Sequence, residues 1–218
     1  MKKLWSENKT FELWLSIEIA ACQAWSDKGM ISKIEMDKIR RATFDIDLYN
    51  KFFNETKHDL ISFTRSIAEK LGPESRWIHH GLTSNDVKDT ALSLQLQKSC
   101  QLIIEGLDRF SDSLAKRALE FKYTPSIGRS HGIHAEPMTF GLKFALWFSE
   151  INRHIERMKF VKNHVSVGML SGPVGTFSSV SPEIEFSVCE QLGLKPALVT
   201  NQVIQRDRHA SYVQALAL

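Results

Sequence analysis

Five of the eight histidines in this 218-residue chain, His58, His79, His80, His131 and His134, fall in three short polar stretches between apolar, helix-patterned segments. Imidazole is the side chain that titrates nearest neutral pH, so histidines gathered where loops meet helices are placed for proton transfer. The densest stretch is residues 128–137, GRSHGIHAEP, which brings Arg129, Ser130, His131, His134 and Glu136 together between two glycines and a proline. The others are TKHD at 56–59 and HHGLTSND at 79–86, and a fourth polar stretch, TNQVIQRDRH, covers 200–209. Zinc ligation is the competing chemistry for the histidines, but no HxxxH or HExxH spacing occurs on a helix. The plainest alternative is that residues 128–137 form a polar helix–helix connection with solvated histidines. His154, His164 and His209 lie on helix-patterned segments among charged neighbours, and the first two read as surface.

The same stretches hold what an anionic substrate needs. Thr83 and Ser84 offer hydroxyls and backbone N–H groups at the start of a long helix, where the helix dipole favours negative charge. Lys57, Arg129 and Arg206 stand beside separate loops and can grip a carboxylate or phosphate. Structural roles compete: Ser84 can cap its own helix, and Asp59 the one after TKHD.

Helical periodicity supplies the supports. Apolar residues Phe11, Trp14, Leu15, Ile17, Ile19, Ala21 and Trp25 predict a helix over 10–28 stopped by Gly29. Shorter helices are expected from Ser32, as N-cap, to Arg41 and over 48–53, and another apolar-periodic run covers 60–71. From Ser84 to Phe121 no proline interrupts the chain, so one helix of about 37 residues and about 55 Å is expected. It shows heptad rows, Cys100, Leu107, Leu114 and Phe121 beside Leu96, Ile103 and Phe110, that suit a bundle seam. Pro137 fits the first turn of the next helix, expected to run to about Val167 with Phe140, Phe144, Trp147, Phe148, Ile151, Ile155, Met158, Val161 and Val165 as core. Two such helices exceed what the short elements can cover, which predicts association with other subunits. GPVGT at 172–176 lacks the lysine and preceding strand of a phosphate loop. Helices are also read at 182–192 and from Gln205 onward, with an extended piece at 197–200.

Composition removes other classes. The chain is 43% hydrophobic and 24% charged, as a globular protein should be, and its net charge of +3 comes from scattered basic and acidic residues rather than a basic stripe. That argues against nucleic-acid binding. Cys22, Cys100 and Cys189 are far apart, without a CxxC pattern, and read as small buried residues. No apolar run reaches membrane-spanning length and MKKLWSENK lacks a signal-peptide core, so a soluble cytoplasmic protein is expected. The clearest boundary lies at 80–84, where short helices give way to long ones. An all-α chain follows, with a small N-terminal helical domain at 1–82 and the first, truncated part of a long-helix bundle domain at 83–218.

TKHD, HHGLTSNDVKDTA, GRSHGIHAEP followed by TFGLK, SGPVGT and QRDRHA occur in an order and spacing that resembles the N-terminal half of the adenylosuccinate lyases, a family of the fumarase and aspartase superfamily. The resemblance covers nearly the whole chain. It implies a lyase of purine and AMP biosynthesis that eliminates fumarate from adenylosuccinate and from the succinylated imidazole-carboxamide ribotide SAICAR. No metal or organic cofactor is implied. By similarity His131 is the general acid and His58 supports it, with Lys57 and Asp59 in the same pocket. Thr83 and Ser84 then bind the succinyl carboxylate, and Ser130 and Gln202 contact the substrate. The family assembles each site from three subunits of a homotetramer.

This chain departs from the family's pattern in four places. The serine-bearing loop SSxMPxKxNP, which supplies the base, and the N-terminal Arg-Tyr phosphate pair do not occur among these residues. Lys57 stands where arginine is usual, and Ser130 where threonine is common. The expectation is an enzyme portion that is inactive by itself. A truncated helical scaffold, or a superfamily lyase with another substrate, is the alternative.

Overall fold

The computed structural model describes residues 1–218 as eight α-helices, a β-hairpin and one short parallel strand pair. The helices are α1 Glu7–Asp27, α2 Lys33–Ile39, α3 Ile46–Thr56, α4 Asp59–Leu71, α5 Ser84–Glu120, α6 Phe140–Val165, α7 Pro182–Leu192 and α8 Asp207–Ala217. The hairpin strands are β1 Pro125–Ser130 and β2 Ile133–Thr139, and β3 Val167–Gly168 pairs in parallel with β4 Lys195–Pro196. The all-α reading holds, and α5 has nearly the limits that the uninterrupted pattern predicts.

By packing, the chain forms two compact units: Met1–Lys98 with Val165–Arg206, and Ser99–His164 with Asp207–Leu218. The change from short to long helices still falls at 83–84, so a division into 1–82 and 83–218 follows element length whereas these units follow contact.

The core of the first unit is aromatic. Phe11 and Trp14 of α1 meet Phe63 of α4 at ring-centroid distances of 5.6 and 5.4 Å, and all three are buried. Such pairs add about 0.5–1.5 kcal/mol each beyond their buried area. Ala20, Ala21 and Ala24 continue α1 with small side chains that admit Ile184 and Val188 of α7. Helix starts follow local chemistry: Ser32 and Glu35 make a reciprocal capping box, and the Asp45 carboxylate accepts from Asp47 and Leu48 N–H. At α4 the cap is His58 rather than Asp59, since His58 Nδ1 accepts the Ile61 N–H at 3.3 Å. All three cysteines are buried, as expected.

In the second unit Cys100, Ile104 and Leu114 of α5 are buried, as are Ile155, Met158 and Val161 of α6. This chain covers the long-helix stripes only in part. Phe110 is 50% exposed, and on the N-terminal half of α6 Phe140, Trp147 and Phe148 are exposed rather than core. One chain has too few elements to cover both long stripes, which is the reason for expecting association.

The main correction concerns residues 128–137. They form most of a hairpin rather than a helix–helix loop, and Pro137 lies in β2, paired with Ile127, while α6 begins at Phe140. Pro137 cannot donate to the ladder, but in a two-stranded hairpin both strands are edges, where proline is tolerated. The extended piece expected at 197–200 is also displaced, to the bridge at Lys195–Pro196.

Candidate functional site

In the second unit His131 sits at the tip of the hairpin. Ser130 pairs with Ile133, leaving His131 and Gly132 as a two-residue turn with φ of 51° and 81°. Positive φ at both central positions is the pattern of a type I′ turn, whose twist matches that of the strands. Histidine is among the few side chains that tolerate the left-handed region, and glycine has no Cβ to resist it. The turn therefore holds His131 out into solvent, exposed together with Arg129, Ser130, His134 and Glu136. At the hairpin's base, Gly128, Arg129, Met138, Leu142, Lys143 and Trp147 help line a groove of about 910 Å³.

In the first unit the polar stretches interlock. Residue 57 closes α3 in the left-handed region, with φ of 54°, and its Lys57 side chain is exposed. The turn brings His58 Nδ1 to 3.6 Å from Asp59, and Lys88 Nζ lies 2.5 Å from the other Asp59 oxygen. Partial burial works to raise the Asp59 pKa, but hydrogen bonds from Lys88 and the Leu60 N–H, with the charges of Lys88 and His58, bring it below the usual carboxylate value.

Asp86, fully buried, accepts backbone N–H groups from Thr83 at 2.9 Å, Ser171 at 3.0 Å and Gly172 at 3.3 Å. Burial raises its pKa, opposed by those three donors and by His79. The expectation of free N–H groups at Thr83 is thus corrected: that group is held by Asp86. Thr83 and Ser84 themselves are half-buried. His79 is engaged by buried Glu18, which accepts its backbone N–H at 2.6 Å and lies 2.7 Å from its Nδ1. Burial lowers the His79 pKa, but the Glu18 hydrogen bond and charge, with Asp86, outweigh it and the net shift is upward.

The fourth stretch is tied in the same way. Asp89, 4% exposed, accepts the Ile204 N–H at 2.8 Å and both guanidinium nitrogens of Arg206 at 3.0 and 3.1 Å. Arg206 is therefore committed to an internal pair, which corrects its reading as an anion grip. Ser171 and Thr200 join two loops through their hydroxyls at 2.7 Å, and Gln202 is exposed. Glu185 accepts the Leu170 N–H at 2.7 Å, and burial raises its pKa.

The structure thus brings His58, Asp59, Thr83, Ser84 and Gln202 into one compact unit and Ser130 and His131 into the other. Sequence reasoning passed over Glu18, Asp86, Lys88 and Asp89. Three of them stand in the SNDVKDTA run, where acidic, basic and acidic residues among the first six positions of a helix were the available signal.

A family model described as lyase matches residues 1–218, and the chain belongs to that lyase family. Among its relatives, the adenylosuccinate lyase of Staphylococcus saprophyticus subsp. saprophyticus is 49% identical over 219 residues, covering 100% of this chain and 51% of the relative. The adenylosuccinate lyase of Bacillus subtilis is 47% identical over 219 residues, with the same coverage of both chains, 100% and 51%. The chain spans about half the length of the curated relatives it matches. The crystal structure of a fumarate lyase from Mesorhizobium sp. BNC1 superposes with a TM-score of 0.91 at 26% identity, over 99% of this chain and 52% of that one. The resemblance read from the motifs is borne out, and so is the helical fold. No helix is long and apolar enough to cross a membrane.

Proposed function

We propose that this chain is the acid-bearing portion of an adenylosuccinate lyase, releasing fumarate from adenylosuccinate to give AMP and from SAICAR to give AICAR. A base takes the proton from the carbon beside one succinyl carboxylate, the carbon–nitrogen bond breaks, and His131 protonates the departing nitrogen. Thr83 and Ser84 bind the succinyl carboxylate. His58 supports the acid through charge and substrate contact, and Lys57, Asp59, Ser130 and Gln202 line the substrate. The working form is a cytoplasmic homotetramer whose sites combine residues of several subunits, and its ligands are small molecules rather than nucleic acid or membrane.

The observation that carries this reading is identity of 49% and 47% to two adenylosuccinate lyases across the whole chain. The exposed turn at His131 supports it further, because a general acid must reach a substrate atom. Fumarate release from adenylosuccinate, followed by ultraviolet absorbance, tests the proposal in a mixture of this chain with a full-length lyase subunit that keeps its base loop but has the histidine matching His131 replaced. Turnover in the mixture, lost when this chain carries His131→Asn, is the expected result. Subunits that assemble without turnover overturn it.

A further inference from the structure

The first turns of α5 carry three charged residues to which the proposed reaction assigns no step, and each grips a different loop. Lys88 holds Asp59, and with it the turn at His58, through a 2.5 Å ion pair. Asp86 ties the backbone at Thr83 to Ser171 and Gly172. Asp89 takes the Ile204 N–H and the Arg206 guanidinium, which fixes the end of the loop that carries Gln202. The Ser171–Thr200 hydroxyl contact then joins the second loop to the third.

We infer that Asp86, Lys88 and Asp89 are positioning residues: one helix start sets the relative placement of three substrate loops without touching the substrate. The inference rests on the lyase reading above. Its physical basis is the nature of the ties. The loops at 171–181 and 199–206 contain no helix or strand, so their placement depends on these side chains. Every tie made by Asp86, Lys88 and Asp89 is a hydrogen bond to a charged group, the stronger kind, and Asp86 and Asp89 are shielded from water that would otherwise compete. α5 is the rigid element of the set, since its backbone is hydrogen-bonded from Ser84 onward. A loop released from it moves by an ångström or so, enough to weaken substrate contacts while leaving the acid chemistry intact.

Lys88→Met removes the charge and keeps the aliphatic stem at a half-exposed position, so it is the decisive variant. Tested as part of the mixture with the complementing subunit, it is expected to raise KM about tenfold, as loss of one hydrogen bond to a charged group implies, with kcat within about threefold and thermal unfolding nearly unchanged. Lys88→Arg restores most of the affinity. Asp89→Asn, which keeps an acceptor but loses the charge toward Arg206, shifts KM in the same direction. An unchanged KM in both Lys88→Met and Asp89→Asn overturns the inference while the lyase reading stands. So does failure of both Lys88 variants to fold, which marks a purely structural residue. A wild-type mixture that assembles without turnover instead overturns the lyase reading, and the inference with it.

Discussion

The loops of the first unit and the hairpin of the second hold their polar residues by opposite means. Around α5 the loops are fastened by buried carboxylates: Asp86 alone satisfies three backbone N–H groups, and Asp89 a fourth with a guanidinium. His131 is held by backbone alone, at the tip of a ladder running from Pro125–Thr139 to Ser130–Ile133, with its side chain in water. A residue positioned through buried charge shares its energetics with folding, whereas one at a hairpin tip does not. Substitutions should therefore separate: loss of a buried carboxylate costs stability, and change at the hairpin tip costs activity alone.

The sharpest test is Asp86→Ala, which leaves the buried N–H groups of Ser171 and Gly172 and the half-buried one of Thr83 without an acceptor. Each orphaned donor costs about 1–3 kcal/mol, so a loss of about 3 kcal/mol or more is expected in chemical denaturation, even as the desolvation of the carboxylate is relieved. A loss below about 1 kcal/mol would break the contrast.

His131→Asn gives the opposite pattern. Asparagine before glycine is favoured in a type I′ turn, so stability should stay within about 0.5 kcal/mol. Turnover in the complemented assembly should fall about 10²- to 10⁴-fold, the usual contribution of a general acid. Parallel loss of both properties would show that the tip is coupled to folding after all.

Gly175→Ala probes how closely the first-unit loops approach. A Cβ at residue 175 would lie 2.2 Å from the Thr200 carbonyl oxygen, and the residue's φ is 80°. Separation of the 175 and 200 loops should destabilise the unit by about 1–3 kcal/mol and raise KM. Equal stability and KM would mean that the two loops need not touch.

A smaller effect is expected from pH. The folded His79 pKa is raised, so its pairing with Glu18 contributes stability that is fully present below its unfolded value of about 6.5 and is lost as pH rises through the folded value. Denaturation midpoints should therefore decline as the pH rises above about 6.5, and Glu18→Gln should flatten that decline. The smallest readout is thiol labelling. Burial pushes Cys22 and Cys189 up to about 12 and Cys100 up to about 11, so a native sample near neutral pH should resist alkylation until it unfolds.

Periodicity and caps were read directly from local sequence because a helix is a local structure. The proline-free stretch of α5, the Ser32 cap and the burial of all three cysteines needed no distant information. The motifs likewise carried the family, since their residue types and order survive without coordinates. The hairpin was misread because the GRSHGIHAEP segment has no clear alternation of apolar and polar residues. Its pairing of Arg129 with His134 is created by a two-residue turn of left-handed backbone, and glycines with polar neighbours suit a loop equally well. The exposed aromatics of α6 were misplaced for a related reason: periodicity states which face is apolar, not whether this chain covers it.

What the sequence determined by itself is the inventory: the helices, the histidine-bearing motifs, and a lyase relationship that needs only matching residues in order. What tertiary structure alone decided is the allocation of partners. Arg206 went to Asp89 and the Ser171 N–H to Asp86, 117 and 85 positions away in the chain, because a buried carboxylate must find donors wherever folding brings them. Residue type shows that a group can bind an anion; only the fold shows whether it already has one.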